Sequence, residues 1–214
     1  MNLRSFQTAF TAPMLDGYQK GVMSYTYKGV RCLKSPIDIA ICMRLIWDLK
    51  PRTLIEIGSH SGGSALLLAD LLAMSGCDDT PVISIDLNIP EGIEDSRICF
   101  LQGSVLDLGP VLEPEGLANL AHPWFVTEDS AHSYDGCMSA LGFFAEHMQA
   151  GDILAIEDGV LEDLGLARKY QGGPNRAIAD FLTARPESFE IETGLCDMFG
   201  QNATYNPNGY LRKI

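Results

Sequence analysis

The stretch that decides the fold is TLIEIGSHSGGSALLLA, Thr53 to Ala69. Thr53 to Ile57 read as a short buried strand that stops at Gly58. The pair Gly62-Gly63 then opens an apolar helical pattern that runs to Gly76. Strand, glycine turn and helix in that order make the first half of a βαβ unit. Four more runs repeat the strand signal at 81–87, 97–104, 123–129 and 152–158, each apolar and each ending in polar residues. Helical patterns precede or separate them: Ser35-Pro36 starts one that reaches Lys50, another covers 132–149, and GPNRAIADFLTA (173–184) begins on proline. FEIETGL (189–195) and the terminal GYLRKI, joined through the turn NPNG (206–209), read as an antiparallel pair at the sheet edge. The expectation is an α/β fold of Rossmann-like type. Its seven-stranded sheet is mostly parallel, with helices on both faces and an antiparallel C-terminal edge pair.

Residues 1–35 read as an irregular segment punctuated by Tyr18, Tyr25 and Tyr27, an N-terminal arm or lid. A plain N-terminal cap would look the same. Residues 36–214 then form a single domain, because no linker divides them. Hydrophobic residues at 46% against 20% charged exclude disorder. The net charge of −13 repels phosphate backbones and anionic lipid, so neither nucleic acid nor a membrane surface is an expected partner. Six scattered cysteines lack metal-ligand spacing and read as reduced thiols. With no apolar leader in the opening residues, the expected location is the cytoplasm.

In such sheets ligands bind beyond the carboxyl ends of the strands. The turn Glu56-x-Gly58-Ser59-x-x-Gly62-Gly63-Ser64 offers glycine clearance and the N–H groups of a helix start. Its spacing is not that of dinucleotide sites. Asp86 ends the next strand, where a carboxylate can accept from both hydroxyls of a ribose, and Gly103-Ser104 end the third, where adenine would lie. Each reads singly as a turn or a helix cap; in sequence they point to an adenosine-containing ligand.

These residues resemble the binding pattern of class I S-adenosylmethionine-dependent methyltransferases. More narrowly, the chain is similar to the cephalosporin hydroxylase family, which includes rhamnosyl and other natural-product O-methyltransferases. The similarity lies in Lys34-Ser-Pro36-x-Asp38, IEIGSHSGGSALLLAD, Asp129-Ser-x-His132-Ser, Ile156-Glu157-Asp158, Gly173-Pro174-x-x-Ala177 and GYLRKI, and spans residues 29 to 214. It implies S-adenosylmethionine as cofactor, a homo-oligomer, and a divalent cation such as Mg²⁺ on Asp129, Glu157 and Asp158. Three carboxylates at neighbouring strand ends suit a hard cation and would otherwise repel one another. Capping by Asp129 and solvation of the other two is the bland alternative.

His132, three residues beyond Asp129, is the candidate general base, with Asp129 beside it. The expected activity is metal-assisted O-methylation of a small hydroxylated acceptor, a sugar or another natural-product intermediate. A hydroxylase or its partner, and a non-catalytic nucleoside-binding subunit, are the competing readings. No non-haem iron triad or flavin fingerprint supports the first, and the intact turn, Asp86 and carboxylates weigh against the second.

Overall fold

The computed structural model describes residues 4–113 and 116–214. In chain order its elements begin with α1 (Ala12–Ser24), β1 (Thr26–Tyr27), β2 (Val30–Arg31) and α2 (Pro36–Leu49). The first βα units follow: β3 (Thr53–Ile57), α3 (Gly63–Met74), β4 (Val82–Asp86), β5 (Ile98–Gln102) and the short α4 (Gly109–Leu112). Next come β6 (Trp124–Glu128), α5 (Tyr134–His147), β7 (Ile153–Ile156) and α6 (Gly173–Ala184). The chain ends with β8 (Phe189–Ile191), the single-turn α7 (Thr193–Cys196) and β9 (Tyr210–Lys213).

The main sheet has the order β5-β4-β3-β6-β7-β9-β8. The first five strands are parallel, and β9 runs antiparallel between β7 and β8. The chain moves from β3 outwards through β4 to β5, then returns to the other side of β3 as β6. The strand order therefore reverses between β3 and β6, and a crevice opens beyond their carboxyl ends. The period of two along the strands divides the core. Ile55, Ile57, Ile83, Ile85 and Val126 face α5 and α6, whereas Leu54, Val82, Phe125 and Ile153 face α2 and α3. α5 starts on Ser133, whose hydroxyl accepts from the Gly136 N–H at 3.1 Å. Among the described residues no helix is long and apolar enough to cross a membrane.

The N-terminal 35 residues differ from the irregular segment expected: thirteen of them form α1, and β1 and β2 form an antiparallel hairpin. Gly17 and Gly21 weaken the helix by roughly 1 kcal/mol each relative to alanine, which hides it from a propensity reading. Packing supplies the difference. Leu15, Tyr18 and Val22 form one stripe against Val160 and Tyr205. The link between β8 and β9 is also longer and more buried than a simple turn. Residues 202–210 are all buried, and Asp38 of α2 anchors them, accepting from the Tyr205 N–H (2.9 Å), the Tyr210 hydroxyl (3.0 Å) and the Thr204 hydroxyl.

Candidate active site

β3 leaves the sheet at Gly58 with φ +105°, and a Cβ there would lie 2.3 Å from the carbonyl oxygen of Asp129. Only glycine lets the ends of β3 and β6 run this close. The other two glycines of the turn are also filled by the chain itself. A Cβ on Gly62 would meet Ile93 Cδ1 at 2.4 Å, and one on Gly63 would meet the Arg31 carbonyl of β2 at 2.3 Å. Gly63 thus lets the hairpin sit on the start of α3. Gly58, Ser59, His60 and Ser64 line a cavity of about 630 Å³, whereas Gly62 and Gly63 stand behind its wall.

Glu56 lies beneath this turn, fully buried, its Oε2 accepting from the Ser84 hydroxyl at 2.5 Å. Ser84 in turn lies 2.6 Å from the Ser59 hydroxyl, so the pair braces the turn from below. Burial pushes the Glu56 carboxyl upward, against the pull of the Lys34 charge. Asp86, at the tip of β4, accepts from the backbone N–H groups of His60 (2.8 Å) and Asn88 (3.1 Å) and borders the cavity. Gly103 and Ser104 line the same end. Gly103 is pressed by Val111, which a Cβ would meet at 2.4 Å.

Asp129, His132 and Asp158 meet on the cavity wall beyond β6 and β7, each offering a ligand atom within 4.8 Å of the others. His132 Nδ1 lies 3.8 Å from Asp129 Oδ1, and its Nε2 lies 3.4 Å from Asp158 Oδ2. His132 (φ +52°) and Asp158 (φ +62°) both occupy left-handed backbone, a strain that persists where the surroundings impose it. His132 Nδ1 is buried without a hydrogen-bond partner among the described residues. The Asp158 carboxyl is pushed up to about 6 by burial, with Asp129 adding and His132 opposing. Two carboxylates and an imidazole with an open nitrogen are a donor set that fits a divalent cation.

Glu157 is placed differently from its neighbour. It is buried, is not part of the cavity wall, and takes the Lys34 ammonium on Oε1 at 2.6 Å. The same ammonium donates to Asp129 Oδ2 at 2.7 Å. Burial opposes charge on Lys34, but the fields of Asp129, Glu157 and Glu56 outweigh it and hold the ammonium well above the ordinary lysine range. Lys34 had no assigned role in the sequence. Its partners lie 95 and 123 residues away, which no local pattern signals.

The far end of the cavity is formed by Gln19, Val22 and Met23 of α1 with Leu161, Leu166, Tyr170 and Tyr205. Tyr170 presents itself edge-on to His132, ring centres 5.9 Å apart at 72°.

A family model for rhamnosyl O-methyltransferase/CmcI matches residues 19–214. The chain belongs to that family. Membership fixes the class of chemistry as S-adenosylmethionine-dependent O-methyl transfer. The rhamnosyl O-methyltransferase of Mycobacterium leprae (strain TN) is 27% identical over 193 residues, 87% of this chain and 82% of its own. That of Mycobacterium tuberculosis (strain ATCC 25618 / H37Rv) is 26% identical over 192 residues, 87% and 77% of the two chains. Among solved structures, CmcI with Mg and SAM superposes with a TM-score of 0.68 at 28% identity, covering 90% of this chain and 77% of that one. The TDP-rhamnose 3'-O-methyltransferase CalS11 shares the fold at 15% identity (TM-score 0.52, 74% and 73% covered).

Proposed function

We propose that this O-methyltransferase carries the methyl group of S-adenosylmethionine to one hydroxyl of a small vicinal diol, a sugar or similar natural-product intermediate, with a divalent cation at the strand ends. The observation that carries the reading is the meeting of Asp129, His132 and Asp158 in the same cavity as the Gly58 turn and Asp86. The relatives agree in kind: the mycobacterial enzymes are rhamnosyl O-methyltransferases, and CmcI holds Mg with SAM.

Asp86 takes the ribose hydroxyls, Gly103 and Ser104 border the base, and the turn from Gly58 to Ser64 receives the amino-acid end. Glu56, Gly62 and Gly63 serve this half by shaping the turn from behind. Asp129 and Asp158 hold the cation, with Glu157 as the third carboxylate of the group. When bound, the cation supplies charge neutralisation and makes a nearby hydroxyl a better acid. His132 takes the hydroxyl proton, its ring kept in place by Asp158 beside Nε2 and Asp129 beside Nδ1. The apolar wall from α1, Leu161 and Leu166 excludes water while the methyl and oxygen are aligned. On this reading α1 and the hairpin act as a lid over residues 36–214. The net charge of −13 favours a small acceptor over nucleic acid.

The test is methyl transfer from S-adenosylmethionine to methyl α-L-rhamnopyranoside and to catechol, with Mg²⁺ and then with chelator. Mono-O-methylated product that disappears with chelator supports the proposal. Equal rates with and without the cation remove the metal from it.

A further inference from the structure

The centre contains more negative charge than its cavity-facing cluster suggests. Glu56 and Glu157 are buried, and the side chains of Asp129 and Asp158 are 18% and 31% exposed. Into this group the chain inserts one ammonium. Lys34 sits just ahead of α2, its side chain only 11% exposed, and bridges Asp129 Oδ2 and Glu157 Oε1 at 2.7 and 2.6 Å. Among the described residues no other lysine or arginine pairs with Asp129, Glu157 or Asp158; the remaining partner is His132. Asp129 is therefore shared, one oxygen on the lysine and the other towards His132.

Carboxylates this close repel one another unless a positive charge or a bound proton offsets their charge. Lys34 provides a positive charge from within the chain, on Asp129, which a divalent cation would also need, and on Glu157, the third carboxylate of the group. We propose that Lys34 is the built-in counter-ion of the metal centre: it assembles Asp129 and Glu157 before the cation arrives and weakens the cation's binding. Lys34 is thus a positioning residue that competes with the metal for the same negative charge. The consequence is a centre already formed in the absence of metal, with an exchangeable rather than a permanent cation. This inference rests on the metal reading above.

The experiment is a calorimetric titration with Mg²⁺ alone, comparing the wild type with Lys34→Met, together with thermal unfolding in chelator and in Mg²⁺. Loss of a unit charge this close should tighten Mg²⁺ binding by at least about tenfold. Lys34→Met should unfold at lower temperature in chelator, and Mg²⁺ should restore it towards the wild type. The paired variant Lys34→Met/Glu157→Gln keeps the net charge of the centre. It should fold even where the single variant does not, and unfold in chelator at close to the wild-type temperature. Unchanged or weaker Mg²⁺ binding by Lys34→Met, or a loss of stability that Mg²⁺ does not restore, overturns the role of Lys34. Failure of the paired variant to fold, or to recover the wild-type unfolding temperature in chelator, overturns it equally. Mg²⁺ binding to neither wild type nor variant overturns the metal reading itself.

Discussion

His132 and Asp158 face each other beyond the ends of β6 and β7, Nε2 to Oδ2 at 3.4 Å, and both hold left-handed backbone. Left-handed geometry costs a residue with a Cβ roughly 1–2 kcal/mol. Two such residues in contact, on loops from different strands, mark a place where position outweighs local comfort. His132→Ala should lower kcat by about 10²- to 10⁴-fold, the usual worth of general base catalysis. The dissociation constant for S-adenosylmethionine should stay within about threefold, since the cofactor residues lie on the other strands. Parallel turnover and cofactor titrations check this; equal losses in both would assign His132 to cofactor binding.

The glycines separate by what a methyl group would meet. Gly63→Ala drives a Cβ into the Arg31 carbonyl and should destabilise by about 1–3 kcal/mol, a fall in Tm of several degrees at this chain length. Gly17→Ala, within α1 and with nothing near its Cβ, should stabilise by about 0.5–1 kcal/mol. Thermal unfolding of both variants reads the contrast directly. A neutral Gly63→Ala would mean that the hairpin is loosely seated.

That hairpin is also tied by charge. Asp70 of α3 accepts from Tyr27 at 2.6 Å and Arg97 at 2.9 Å and pairs with Lys28 at 2.5 Å. Burial raises its carboxyl, but these partners outweigh that and hold it down at about 2. A depressed carboxylate stabilises the fold above its unfolded pKa and loses that contribution as pH falls through the folded value. Wild type should therefore exceed Asp70→Asn in stability by on the order of 1 kcal/mol at neutral pH, allowing for solvent screening. The difference should shrink as pH drops from about 4 to about 2. Unfolding curves of both proteins across that range decide it; a pH-independent gap would place the effect in packing.

Much of this was legible in the sequence. All five parallel strands lie within two residues of the expected runs, and the crevice forms where their polar tips converge, because strand burial and glycine turns are local signals. α6 follows its proline start residue for residue. What stayed hidden depends on tertiary partners. α1 is offset against its glycines by Val160 and Tyr205, and a buried lysine looks like a surface one until Asp129 and Glu157 are folded onto it. Glu157 and Asp158 are neighbours in sequence, yet only Asp158, on left-handed backbone, lines the cavity, while Glu157 is buried against Lys34.

Tyr205 is 4% exposed and its hydroxyl has no hydrogen-bond partner among the described residues. A buried hydroxyl left unpaired costs about 1–3 kcal/mol, so Tyr205→Phe should be at least as stable as the wild type. Calorimetric Tm values settle the point, and a fall of several degrees would reveal a partner for the hydroxyl.

The most direct measurement is a calorimetric titration of the wild type and Asp86→Ala with S-adenosylmethionine, with NAD⁺ as the control ligand. The account predicts micromolar binding of S-adenosylmethionine to the wild type, none of NAD⁺, and a loss of about tenfold or more in Asp86→Ala. No binding of S-adenosylmethionine to the wild type, or equal affinity in the two proteins, would contradict it.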